Sequence, residues 1–111
     1  MWLIEAIKAA FRFVRNLVRY VVQGILNFAQ HVVGWFKKIY NLDKERHTPF
    51  IADMNKFKDM LAQAPTKNVG IFEGVYDEVA DEITHTREVD ADSLDSKTKQ
   101  IMGGEDLVVL S

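Results

Sequence analysis

The stretch from Met1 to Tyr40 constrains this chain more than any other, because its apolar residues are too numerous for an ordinary surface helix and are interrupted singly by polar or basic ones. On an α-helix at about 100° per residue, Glu5, Lys8, Arg12, Arg15, Asn16, Arg19, Gln23, Asn27, Gln30, His31, Lys37 and Lys38 fall within a sector roughly 160° wide. Leu3, Ile7, Ala10, Val14, Leu17, Val21, Ile25, Phe28, Val32, Trp35, Phe36 and Ile39 fill the other side. Such a helix is roughly 57 Å long, against the roughly 30 Å hydrocarbon core of a bilayer. It is long enough to span and still project, or to bend at an interface.

The stretch divides in two. Met1 to Tyr20 reads as a cationic amphipathic helix, with Lys8, Arg12, Arg15 and Arg19 on one stripe and Trp2, Phe11 and Phe13 among the apolar positions, the pattern of an interfacial membrane helix. Tyr20 to Phe36 contains no Asp, Glu, Lys or Arg and lies between Arg19 and the Lys37-Lys38 pair. The aromatic and basic residues at its ends, Trp2, Arg15, Tyr20, Trp35, Lys37 and Lys38, suit membrane-interface anchors. At about seventeen residues the span is at the lower length limit, and Gln23, Asn27, Gln30 and His31 oppose insertion. Pointed inward in an oligomer, with Arg12 and Arg19, they would line a pore or face neighbouring subunits. The competing reading is a helix buried in other protein.

Charge is distributed unevenly along the chain. Before residue 41 there are six basic residues and one acidic, and after it eight basic and fifteen acidic. The cationic half suits an anionic lipid surface, whereas the acidic half would be repelled by phosphates, so nucleic acid is not expected as a partner. With no cysteine in 111 residues, disulfide and thiolate chemistry are excluded, which agrees with a cytoplasmic C-terminal portion. No cleavable signal pattern is expected at the N-terminus, where charges and amides interrupt the apolar run.

Residues 41–47, NLDKERH, form a charged linker. Thr48-Pro49 reads as an N-cap and first helical position, and Phe50, Ile51, Met54, Phe57, Met60 and Leu61 recur at helical spacing, predicting a second helix over 48–64. From Val69 the period changes to two: VGIFEGVYDEV and EITHTREV predict a hairpin. A helix follows, capped by Asp92 or Ser93 and stopped by Gly103-Gly104, and the apolar run Asp106 to Leu110 is a last strand. Residues 69–111 thus read as a small acidic ββαβ module, whose thin core needs the second helix or a neighbouring subunit.

Catalytic chemistry finds no foothold. His31, His47 and His85 lack the spacing of a zinc site, and Asp90, Asp92 and Asp95 lack the glycine and glutamate of a calcium loop and read as helix caps. His31 has a sharper reading as a pH-sensitive pore residue and a plainer one as a hydrogen-bonding group at a subunit contact. The acidic residues Glu73, Asp77, Glu78, Asp81, Glu82 and Glu88 read as a solvated hairpin surface. No catalytic residue, metal or cofactor is expected, and the chain is not read as an enzyme.

The expected fold class is therefore α+β: a long N-terminal amphipathic or membrane helix, a second helix and a ββαβ module, assembled as a homo-oligomeric helical bundle. The expected function is a membrane pore or permeabilising protein, such as a regulated toxin or cell-suicide effector, at the membrane with its C-terminal module cytoplasmic. Its partners are lipid, other copies of itself, and a regulatory protein or ligand at the module. The alternative is a soluble self-assembling interaction protein.

Overall fold

In the computed structural model, which describes residues 2–14, 17–39 and 45–110 and shows Trp2 through its backbone alone, the N-terminal stretch is helical only at its start. Helix α1 covers Trp2–Ala10, a 3-10 turn follows over Phe11–Phe13, and the chain then forms strand β1, Arg19–Val21. Gly24 takes a left-handed φ of 107°, a backbone region that favours glycine, and turns the chain into strand β2, Ile25–Leu26. A π-helical turn over Phe28–Val33 runs on into helix α2, Gly34–Lys38.

The expected helix over Met1–Tyr40, and the bundle built from it, are thus overturned. The physical reason is local: Val18, Val21, Val22 and Ile25 crowd the middle of the stretch, and β-branched side chains favour strands. Among the described residues no helix is long and apolar enough to cross a membrane. That finding removes the basis for the expected span, pore or channel, for the toxin or effector role that followed from it, and for the membrane localisation.

Strand β3 (His47–Asp53) leads directly into helix α3 (Met54–Leu61), followed by β4 (Val69–Asp77), β5 (Glu82–Ala91), β6 (Ser93–Leu94), helix α4 (Ser96–Met102) and β7 (Leu107–Val109). The sheet order is β1-β5-β4-β3-β7, with β2 and β6 forming a separate short ladder. The pair β1-β5 is parallel and the other neighbours in the main sheet are antiparallel.

The second expected helix is also corrected at its start. Thr48 and Pro49 lie in β3, and Asp53 is the actual cap, its side chain accepting from Asn55 N. The apolar run from Phe50 misled because both faces of β3 are buried, which erases the period of two. Pro49 is tolerated because its carbonyl accepts the Leu110 N–H just past the end of β7. Its missing donor falls on that same side, outside the ladder.

Two apolar cores lie on opposite faces of the sheet. One gathers Ile7, Ala10, Phe11, Phe50, Phe57 and Phe72, with Val14 and Leu17 against it. The other gathers Val22, Leu26, Val32, Ile51, Ile71 and Val89, with Phe28 and Phe36 packed on it. The N-terminal stretch therefore wraps around the sheet edge at β1, feeding the first core before the edge and the second after it. This explains its excess of apolar residues: they serve two interiors rather than one broad helix face.

Gly74 sits opposite Phe50 in the β3-β4 ladder. A Cβ there would lie 2.6 Å from the Phe50 ring and 2.8 Å from the Phe72 ring, and those rings stack on each other with centroids 5.7 Å apart. Neither ring has room to retreat, since Phe11 packs on both. Gly74→Ala is expected to destabilise the fold by about 1–3 kcal/mol through overpacking, measurable by urea unfolding. A neutral or stabilising result would show that the rings are not held where they stand.

Candidate functional site

Strand alternation sends Arg19 and Tyr20 of β1 to opposite faces of the sheet, where Arg19 meets two buried acids and Tyr20 meets Arg87, the partner of a third. Arg19 pairs in register with Glu88, and Tyr20 with Val89. On the first face, Arg19 Nε stands 3.0 Å from Asp90 Oδ2 and its Nη2 3.6 Å from Glu88 Oε1. Both carboxylates have 0% exposure. Arg19 Nη2 also donates to the Ala64 carbonyl at 2.7 Å.

The loop after α3 closes this cluster from above. Gln63 Nε2 donates to Glu88 Oε1, and the Thr66 N–H and hydroxyl both donate to Asp90 Oδ2 at 2.8 Å. Gly70, opposite Asp90 on β4, leaves the room the cluster needs: a Cβ there would come within 2.9 Å of Asp90 Oδ1 and 2.8 Å of the Pro65 ring. Glu88 Oε2 and Asp90 Oδ1 are buried with no hydrogen-bond partner, and the ionisation of each carboxyl bears on the other. A single proton placed on the pair would give these oxygens a bond and leave a neutral set with Arg19.

Burial and the neighbouring Asp90 push Glu88 up to about 7, against the opposing hydrogen bond from Gln63 and the charge of Arg19. Burial also acts to raise Asp90, but the hydrogen bonds from Glu88 and Thr66 and the Arg19 charge outweigh it and hold Asp90 below the usual carboxylate range. The two acids are thereby separated into a proton holder and an anion.

On the second face, Arg87 Nε donates to Glu73 Oε1 at 2.9 Å and Arg87 Nη2 to the His31 carbonyl at 2.6 Å. The guanidinium lies 5.1 Å from the Tyr20 ring centroid and 5.3 Å from that of Trp35. Glu73 has 0% exposure, and burial pushes it up to about 8 although Arg87 pulls the other way. His31 is lowered by burial and by Arg87, with Asp95 opposing.

The residues singled out from the sequence are dispersed over these settings. Arg12 lies in the 3-10 turn, donating to the Ala9 carbonyl. Gln23 is exposed beside the Gly24 turn, and Gln30 is exposed in the π-helical turn. Asn27 Oδ1 accepts from Gln30 N, and Asn27 N donates to His31 Nδ1. Arg19, Tyr20, His31 and Trp35 come together around β1 and Arg87, as just described. Lys37 and Lys38 are exposed at the end of α2; Arg15 and the Trp2 side chain lie outside the described residues.

The acidic residues of the hairpin are not one solvated surface. Glu78, Asp81 and Glu82 are exposed, whereas Glu73, Asp77 and Glu88 are buried. Asp95 does cap α4, accepting from Thr98 N, but Asp90 belongs to the buried cluster and Asp92 to an ion pair with Lys67. The signal for the cluster was in the sequence, since Glu88 and Asp90 two apart must share one strand face. Arg19 as their partner was not foreseeable without the parallel β1-β5 pairing.

A cleft of about 380 Å³ opens between the 3-10 turn and the end of α3, bordered by Arg12, Leu17, Met60 and Gln63. Gln63 stands between it and Glu88, which reaches no solvent. Among the described residues no group of three or more histidine or acidic side chains is arranged to hold a metal. What the arrangement does physically is tie β1 to the buried acids of β5 through Arg19.

No family model matches this chain, and no curated protein or solved structure matches it. The functional reading therefore rests on the geometry alone.

Proposed function

We propose that the protein is a non-catalytic self-associating module whose copies pair through the outer edge of β1. The observation that carries this reading is an open sheet edge whose exposed residues, among those described, are mainly apolar. Among the described residues no strand pairs with that edge, and Val18, Tyr20 and Val21 are exposed along it. Natural edges are normally blunted by charge, proline or a bulge. Here the one charged side chain of β1, Arg19, though partly exposed, is engaged by Glu88 and Asp90. The opposite edge, β7, is better covered, its residues being buried or half-buried.

The Glu88 N–H donates to the Val18 carbonyl and the Val22 N–H to the Asp90 carbonyl. By alternation, the backbone groups of Arg19 and Val21 face outward. A two-fold axis beside Tyr20 would set Arg19 of one copy opposite Val21 of the other, satisfying these groups, with the two Tyr20 rings as a cross-strand pair. The result would be one continuous ten-stranded sheet.

Sedimentation equilibrium tests the reading. The wild-type chain is expected to dimerise in the micromolar range, and Val21→Lys to remain monomeric with an unchanged circular dichroism spectrum, because it sets a lysine opposite Arg19 of the other copy. A wild type that stays monomeric, or a Val21→Lys chain that dimerises equally well, would sink the proposal.

A further inference from the structure

We infer that Arg19, Glu88 and Asp90 form a proton-operated latch that controls whether β1 is held in the sheet and hence whether its outer edge is presented for pairing. This inference rests on the self-association reading and adds its regulation. Its basis is a charge count in a closed space. Two fully buried carboxyls, two residues apart on β5, face a single guanidinium that reaches both from β1. Among the described residues, the groups that face the pair are Arg19 from β1 and the neutral Gln63 and Thr66 from the loop after α3. Lys67 on the same loop is engaged with Asp92, and the β4 residues opposite are Phe72 and Gly70.

With one proton on the pair, the cluster is neutral and each inner oxygen has a partner. With none, two anions confront one cation, and Glu88 Oε2 and Asp90 Oδ1 repel each other with no other donor at hand. Like charges forced together in a buried site are relieved by taking a proton or by admitting water. The element least able to resist is β1, a three-residue strand joined to the sheet on one side only. Since burial and Asp90 set Glu88 to about 7, the latch is closed in mildly acidic solution and strained in mildly alkaline solution.

The test measures amide exchange in the wild-type chain at a concentration well below that of self-association, so that pairing does not enter the readout and no new charge is set beside Asp90, the register partner of Val21. The Val22 N–H, which bonds the Asp90 carbonyl, reports on β1. The Asp53 N–H, which bonds the Asp106 carbonyl at the far side of the sheet, is the internal control. Between about pH 6 and pH 8.5, Val22 protection relative to Asp53, corrected for intrinsic exchange, is expected to fall at least tenfold. Adding Glu88→Gln, which accepts from Gln63 and donates to Asp90 at every pH, is expected to abolish the fall. A pH-independent Val22, or an equal loss with glutamine at 88, overturns the latch.

Dimerisation of the wild-type chain is measured separately over the same range and is expected to weaken as pH rises. A wild-type chain that never associates overturns the regulatory role together with the self-association reading, whereas failure of the exchange test overturns the latch alone.

Discussion

Phe11→Ala is expected to cost about 3–5 kcal/mol of stability, the range for truncating a well-packed aromatic. Phe11 is 1% exposed and joins three parts of the structure. Its ring lies 5.9 Å from Phe50 on β3, 5.0 Å from Phe72 on β4 and 4.8 Å edge-on from Phe57 on α3. Removing it leaves a void among rings that cannot collapse, since Gly74 is already filled by Phe50 and Phe72. Urea unfolding followed by circular dichroism measures the loss. The neighbouring Phe13, 72% exposed, serves as the control, and Phe13→Ala is expected to stay within about 0.5 kcal/mol of wild type. Equal effects at both positions would mean that the N-terminal segment does not pack on the sheet as described.

Arg87→Ala is expected to be about as damaging in alkaline solution, costing about 3–5 kcal/mol, because it strands the buried Glu73 carboxylate. The effect depends on pH in a direction that can be worked out. Glu73 lies above its ordinary value of 4.5, at about 8, chiefly through burial. Between those values the folded protein binds a proton that the unfolded chain has released, so stability falls as pH rises through that window and levels off above it. For the wild type this fall is on the order of 5 kcal/mol from Glu73, and Glu73→Gln is expected to flatten it. Without Arg87 nothing favours the carboxylate, so the fall continues to higher pH.

Near pH 5, where Glu73 is protonated with or without Arg87, the substitution removes only the stacking on Tyr20 and Trp35 and the bond to the His31 carbonyl, about 1–2 kcal/mol. Thermal unfolding of the three proteins at about pH 5 and pH 9 checks this ordering. An Arg87→Ala penalty that does not grow with pH would refute it.

The sequence spoke clearly where local chemistry decides the structure. The alternation beginning at Val69 and the Gly103-Gly104 stop are readable because strand period and left-handed glycine caps act within a few residues, and Gly103 indeed has a φ of 54° after α4. The architecture was not readable, since it depends on Arg19 meeting Glu88 across most of the chain. A strand of three residues carries too little period to compete with a helical pattern that, over Met1 to Tyr40, fits by accident. Phe50 to Ala52 failed for the complementary reason: buried on both faces, β3 shows no alternation. The buried acids were hidden because Glu73 and Glu88 have the composition of a surface, and only their cross-strand neighbours reveal that they lie inside.

The parallel union of β1 with β5 also sets an order of events in time. Antiparallel neighbours such as β4 and β5 are joined by a tight turn and can meet as soon as both have been made, whereas β1 must wait for a strand near the other end of the chain. Closing so long a loop is slow. Folding is therefore expected to start from β3, β4 and β5 and to finish when the N-terminal arm swings around the edge to cover both faces. During synthesis that arm is made before the strands it covers and docks after them, so its apolar residues wait for their final partners.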